Sequence, residues 1–271
     1  MAERAYAEVI GDPIAHSKSP LIHGFWLDAL GLDAEYRAVR VAPHDLPAYF
    51  AARRADPDWR GCNVTVPHKI AALDHVEDRG DVRATIGAIN LAMRAEDGAL
   101  IGANTDAGGF YAPIAGFDFA NKPVVVIGAG GAARAVLFAL ARMAVGPVTI
   151  LNRTPLKGAA LLSAFGLKGH ALALSAPIPP AALLVNASLL GMTGQPPLDL
   201  DLSPLSADAV VYDLVYAPLE TDLLAEANDR GLETVDGLEM LVAQAALAFE
   251  LLFGVEPPRE RDDELRELLV G

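Results

Sequence analysis

The sequence predicts an α/β protein in two domains, the second built on a doubly wound parallel sheet, and three observations carry this. Residues 122–136 read K-P-V-V-V-I-G-A-G-G-A-A-R-A-V: an apolar, Val-rich run enters a glycine turn and leaves it as an alanine-rich helix. Six strand-like runs, at 123–127, 147–151, 170–174, 182–186, 209–213 and 233–235, alternate with helical segments, as a doubly wound nucleotide-binding sheet requires. Before residue 105 a shorter alternation of strands and helices implies a separate α/β layer.

The first half is read in order. Residues 6–10 form a strand, followed by G-D-P and the loop I-A-H-S-K-S-P (14–20). A helical pattern then runs to Leu30, with Gly31 as its stop. Residues 35–41 read as a strand and 44–54 as a helix. The segment 61–67 is a strand entering a loop, a helix begins near His68, and a second covers 79–86. Residues 88–94 and 99–102 flank Glu96-Asp97-Gly98, which is hairpin chemistry. After Asp236-Gly237 an apolar helix covers 238–253, and a charged surface helix covers 259–269. Six strands already complete the nucleotide sheet, so these last helices are expected to return to the first domain. The division is therefore 1–105 with 238–271, and 106–237.

Composition narrows the class of partner. The chain has 271 residues, is 52% hydrophobic and carries a net charge of −14. Nucleic acid and anionic membranes both reward clustered positive charge, so neither is expected as a partner. The single cysteine, Cys62, excludes an internal disulfide, and six histidines without metal-ligand spacing argue against a zinc site. The most apolar long window, 124–145, contains Arg134 and Arg142 and is no membrane span. M-A-E-R-A-Y at the start has no apolar signal core, so a cytoplasmic protein is the expectation.

The glycine turn has the spacing G-x-G-x-x-A. Gly128 makes the bend, Gly130 lets a pyrophosphate approach the backbone, and Ala133 lets helix and strand pack closely. The new helix points free N–H groups and its positive end at the phosphates. The next strand ends T-I-L-N-R-T (149–154). A site for NAD usually places Asp or Glu here to hold the ribose 2′-hydroxyl, whereas this chain has Asn152, then Arg153, with Lys157 a turn later. A guanidinium without a carboxylate favours a 2′-phosphate, hence NADP. A surface arginine near a helix start is the competing reading.

Several polar residues suggest a ligand. Ser17 and Ser19 precede a helix and suit a bound carboxylate, or serve as ordinary caps. On a strand, Asn63 and Thr65 share one face while Val64 and Val66 take the other, toward the core. Lys69, expected at a helix start, offers three donors beside them or is a solvated lysine. Asp106 reads equally as a helix cap and as a catalytic carboxylate. N-A-S (186–188) follows an apolar strand, and Tyr216 either bonds a substrate carboxylate or packs. Gln244 has Met240, Leu241, Leu247 and Ala248 as helical neighbours. An amide on such a face needs a partner, either a ligand hydroxyl or a backbone carbonyl.

Taken together, these motifs strongly resemble the shikimate dehydrogenase family. The match runs through G-D-P-I-A-H-S-K-S-P (11–20), N-V-T-V-P-H-K (63–69), G-A-I-N (87–90), N-T-D (104–106) and G-A-G-G-A-A-R-A-V (128–136). It continues through N-R-T (152–154), N-A-S (186–188), Y-D-L-V-Y-x-P (212–218) and D-G-L-E-M-L-V-x-Q-A (236–245). The resemblance implies an N-terminal substrate-binding domain completed by the C-terminal helices, and a Rossmann-type NADP-binding domain. It implies NADPH-dependent reduction of 3-dehydroshikimate to shikimate, a step of aromatic amino-acid biosynthesis, in a monomer or homodimer. By the same resemblance Lys69 and Asp106 are catalytic, and Ser17, Ser19, Asn63, Thr65, Asn90, Tyr216 and Gln244 contact substrate. Cofactor contacts fall on Gly128, Ala129, Gly130, Gly131, Ala132, Asn152, Arg153, Thr154, Lys157, Leu214 and Gly237. No metal is implied. The chain departs from the family pattern at Leu91, Ala107, Leu189 and Glu239. The competing readings are a quinate/shikimate dehydrogenase preferring NAD, a folate-type methylene dehydrogenase, and a non-catalytic dinucleotide-binding paralogue.

Overall fold

A computed structural model describes residues 4–270 of the chain. The first part runs β1 (Ala5–Gly11), α1 (Ser19–Leu30), β2 (Ala34–Arg40), α2 (Leu46–Ala55), β3 (Trp59–Val64), α3 (Val82–Thr85), β4 (Leu91–Arg94) and β5 (Leu100–Ala103). The second runs α4 (Asp106–Tyr111), β6 (Val124–Ile127), α5 (Gly131–Arg142), β7 (Val148–Asn152), α6 (Pro155–Ala164), β8 (Gly169–Ala173), β9 (Leu183–Asn186), β10 (Val210–Asp213), α7 (Asp222–Asp229) and β11 (Glu233–Val235). Two helices follow, α8 (Gly237–Phe253) and α9 (Asp262–Val270).

The chain forms two compact units. One holds the chain through Thr105 together with Gln244 onward, and the other spans Asp106–Ala243. The second crossing lies inside α8, six residues past the 237/238 expected from sequence. Its first turns pack in the second unit, where Met240 joins the core, and its last turns pack in the first, where Phe249 meets His23 and Trp26. A helix without an internal glycine or proline gives no sequence mark of such a change.

In the first unit the sheet order is β2-β1-β3-β4-β5. β1 runs parallel to β2 and β3, and the predicted hairpin adds β4 and β5 antiparallel. Gly31 ends α1 in the left-handed conformation, its N–H bonding back to the last carbonyls. One charge is wholly buried in this sheet. Glu8 accepts from Tyr49 at 2.6 Å, from Arg53 at 2.7 and 3.0 Å, and from Arg37 at 3.1 Å. Burying a carboxylate is tolerated because every lone pair has a donor.

Three local expectations fail here. The helix expected near His68 is a turn followed by a 3₁₀ segment, Ala71–His75. The Lys69 carbonyl, which an α-helix would offer to Leu73, accepts instead from the Ile89 N–H at 2.8 Å; Leu73 bonds to Ile70, three residues back. The helix expected over 79–86 shrinks to the single turn α3. Val66, expected in the core, is 50% exposed, because β3 ends at Val64 and the strand alternation ends with it.

The second unit has six parallel strands in the order β11-β10-β9-β6-β7-β8. Counted from β6, this is the 3-2-1-4-5-6 order of doubly wound sheets, with the switch point between β6 and β9. The four residues of β6 are fully buried, as a strand covered on both faces should be. Among the described residues no helix is long and apolar enough to cross a membrane, and no group of three His, Cys, Asp or Glu could hold a metal ion.

Candidate active site

In the first unit the predicted polar residues gather at the ends of β3, β4 and β5. Asn63 lies in β3 with Val9 and Leu91 as register partners. Thr65 falls just past the strand, but its N–H still bonds the Ile10 carbonyl at 2.9 Å. Asn90 is 2% exposed and fully engaged: Oδ1 accepts from the Thr105 N–H at 2.7 Å, and Nδ2 donates to Thr105 Oγ1 at 2.8 Å and Gln244 Oε1 at 3.2 Å. The partners of Gln244 thus include two side chains from distant segments, which the helical pattern alone did not identify. Thr105 is a member of this network that sequence reasoning missed. It stood inside the quoted N-T-D motif, and a hydroxyl between an amide, Asn104, and a carboxylate, Asp106, was the available signal.

Lys69 is half-buried. Its backbone bond to Ile89 sets it beside the residue that precedes Asn90. The turn that carries it is held by His68, whose buried ring bonds the Val41 carbonyl through Nε2 at 2.7 Å. A carbonyl only accepts, so that nitrogen carries the proton. Ser17 is half-buried and Ser19 buried. Neither caps α1, which starts without a side-chain cap; Ser17 Oγ accepts from the Ser19 N–H at 3.3 Å. Lys18 between them bonds the Leu269 carbonyl at 2.5 Å and ties the loop to α9.

In the second unit the glycine turn lies between β6 and α5. Gly128 has φ +106°, and a Cβ there would sit 2.9 Å from the Ala187 carbonyl oxygen. Gly130 is the opposite case: it is extended, and a Cβ would have nothing within 4 Å. Ala133 is fully buried against the sheet. Among the described residues no side chain caps the N-terminus of α5, and the space beside Gly130 at that end is open.

Ile127 and Leu151 are register partners, so the glycine turn and Asn152–Thr154 leave the sheet side by side. Asn152 shapes the second turn by donating to the Thr154 carbonyl at 2.9 Å. Arg153, Thr154 and Lys157 are exposed beside it, and Arg153 has no acidic partner among the described residues. A phosphate-bearing nucleotide fits this edge: a bend clear of side chains, uncapped N–H groups, and two cations one strand away.

The next strand ends carry a second polar network. Asn186 and Asp213, both fully buried, bond at 2.9 Å. Asp213 also accepts from Thr221 Oγ1 at 2.7 Å and from the Val215 N–H at 3.0 Å. Burial raises its carboxyl pKa, and these donors pull the other way. The network sets the loop that starts at Leu214, whose N–H bonds the Asn186 carbonyl. Gly237 allows another close approach, because a Cβ there would lie 2.5 Å from the Leu214 and Val215 carbonyl oxygens. Burial raises the pKa of the half-buried Tyr216 phenol. Asp106 opens α4 and is 4% exposed. Of the four departures from the family pattern, Leu91 and Ala107 are core positions, while Leu189 and Glu239 are exposed.

The fold and these two strand-end clusters define the class: a two-domain α/β protein with a Rossmann-type nucleotide unit. Comparisons with known proteins are specific. Residues 9–92 match the shikimate dehydrogenase substrate binding domain and 237–262 the shikimate 5′-dehydrogenase C-terminal domain. A protein from Sphingopyxis alaskensis named shikimate dehydrogenase (NADP(+)) is 68% identical over 98% of this chain and 97% of its own. The crystal structure of shikimate 5-dehydrogenase from Thermus thermophilus, in complex with NADP(H) and shikimate, matches with TM-score 0.85 and 39% identity, covering 98% of this chain and 99% of that one. A ligand-free 5-ketofructose reductase of Gluconobacter matches with TM-score 0.87 and 30% identity, over 99% and 100% of the two chains. The chain belongs to the shikimate dehydrogenase family.

Proposed function

We propose that this chain catalyses the reversible NADPH-dependent reduction of 3-dehydroshikimate to shikimate, as the step of aromatic amino-acid biosynthesis. The observation that carries the reading is the linked set Asn90, Thr105 and Gln244, with Lys69 fixed one residue from Asn90 by its carbonyl bond to Ile89. Buried amides and hydroxyls joined this way form a rigid surface for a polyhydroxylated ring. Ser17 and Ser19, freed from capping, suit its carboxylate. Asn63 and Thr65 on the neighbouring strand end add hydroxyl contacts, and Tyr216 adds another.

NADPH, when bound, supplies the hydride that goes to the carbonyl carbon. The chain's own groups do the rest. Lys69 holds a proton on Nζ and gives it to the carbonyl oxygen as negative charge develops there; Asp106 is the second catalytic group, orienting the donor and a substrate hydroxyl. Positioned proton transfer of this kind contributes roughly 10²–10⁴-fold. Gly128 to Ala132 shape the pyrophosphate turn, and Asn152, Arg153, Thr154 and Lys157 hold the adenosine 2′-phosphate. Leu214 and Gly237 complete the cofactor contacts. Small-molecule partners only, a cytoplasmic location and a monomeric or homodimeric state complete this reading.

The close match to a 5-ketofructose reductase keeps a second carbonyl substrate in view, because one fold accommodates different ring hydroxyls. The test crosses shikimate and quinate against NADP⁺ and NAD⁺, following reduced nicotinamide by absorbance. Turnover of shikimate with NADP⁺ well above the other three pairs is expected. Preference for quinate or for NAD⁺ would replace the assignment, and no turnover with any pair would leave the second carbonyl substrate or a binding protein.

A further inference from the structure

Tyr36 lies in β2, outside every predicted site, yet its buried hydroxyl donates to Asn63 Oδ1 at 2.6 Å. The backbone of Asn63 is fixed from both sides by β1 and β4. Its carboxamide is not, since oxygen and nitrogen exchange places in a 180° flip of nearly equal shape. A hydroxyl alone does not choose between them, because it can donate or accept.

The second neighbour makes the choice. Asn63 Nδ2 lies 3.4 Å from the Asn90 carbonyl oxygen, which only accepts. A flip would set two oxygens against each other there. With the amide in its observed orientation, Oδ1 receives the phenol, one N–H reaches toward Asn90, and the other N–H remains available. The phenol is itself immobilised, with the His23 ring stacked flat on it. Burial holds it protonated and therefore able to donate.

We infer that Tyr36 is a positioning residue: with the Asn90 carbonyl choosing the orientation, its bond to Oδ1 holds the Asn63 carboxamide there, so that Nδ2 presents a donor to a ring hydroxyl oxygen of the substrate. The inference rests on the proposed reading of Asn63 as a substrate contact. A substrate hydroxyl meets a firmly held N–H donor in this arrangement; without the phenol, only the 3.4 Å contact to the Asn90 carbonyl holds the amide.

The test is a double-mutant cycle on the full chain with Tyr36→Phe, Asn63→Ala and the double variant, using Asn63→Ser if the alanine variant folds poorly. Tyr36→Phe keeps the ring and its stacking. One lost hydrogen bond predicts a shikimate KM raised about fivefold, with kcat and the NADP⁺ KM within about twofold of the parent. Combined with Asn63→Ala, Tyr36→Phe should raise the shikimate KM no further, which a general loosening of the core would not reproduce. If Asn63→Ala raises the shikimate KM but Tyr36→Phe does not, or if Tyr36→Phe acts equally in both backgrounds, the positioning role is wrong. If Asn63→Ala itself leaves that KM unchanged, the substrate-contact reading fails, and the positioning role with it.

Discussion

The His23 imidazole lies flat on the Tyr36 phenol, ring centroids 3.9 Å apart and planes 2° from parallel. Trp26 meets the same imidazole edge-on and Phe249 lies beside it. The ring is wholly buried, and neither nitrogen has a hydrogen-bond partner among the described residues. Its pKa is pushed down from 6.5 to about 3 by desolvation.

That burial makes the first unit acid-sensitive. Between pH values of about 6.5 and 3 the unfolded chain binds a proton at this site that the folded chain does not. The contribution is therefore intact above the unfolded pKa and is lost as pH falls toward the folded one. By about pH 4.5 the loss is roughly 2–3 kcal/mol. Urea unfolding of the parent and of His23→Phe, at neutral pH and at about pH 4.5, checks this; the variant should show a smaller pH difference.

Gly128 and Gly130 should separate stability from cofactor binding. Gly128→Ala meets the Ala187 carbonyl in a left-handed backbone and should destabilise by about 1–3 kcal/mol. Gly130→Ala enters open space in an extended conformation that alanine adopts freely, so unfolding should shift by less than about 0.5 kcal/mol. Its methyl would occupy the approach of the pyrophosphate, and the NADP⁺ KM should rise at least about tenfold. Equal melting with equal NADP⁺ affinity would remove Gly130 from the cofactor edge.

Lys69→Ala should cut kcat by about 10²–10⁴-fold at saturating substrate. The turn should survive, because its bond to Ile89 uses a backbone carbonyl. Asp106→Asn should lower kcat in the same assay. Near-normal turnover of either variant, with unchanged circular dichroism, would take that residue out of the reaction.

Arg153→Ala tests the choice of nucleotide. An exposed guanidinium gripping a 2′-phosphate discriminates only against the cofactor that lacks it, so the NADP⁺ KM should rise about tenfold or more while the NAD⁺ KM stays level. A parallel rise for both cofactors would mean that Arg153 contacts shared parts of the nucleotide.

Much of this was legible along the chain. The run V-V-V-I into G-A-G-G marks a buried strand and a phosphate turn, because a strand covered on both faces must be apolar and a close backbone approach must lack side chains. Asn152-Arg153 without a carboxylate led the sequence reading to NADP, the cofactor that the relatives carry in their names. Glu8 was illegible: within A-Y-A-E-V-I it reads as a surface position on an alternating strand, and its three donors come from β2 and α2. The turn at Lys69 was illegible for the same reason, since the Ile89 N–H that claims its carbonyl lies twenty residues on.

The sequence by itself determined the two α/β units, the glycine turn and the identity of the polar side chains, since periodicity and spacing are local properties. Tertiary structure alone decided where strand β3 stops, where α8 changes units, and which partners orient Asn63, Asn90 and Gln244. Hydrogen-bond partners from distant segments settle each of those, and a one-dimensional pattern carries no record of which distant groups will meet.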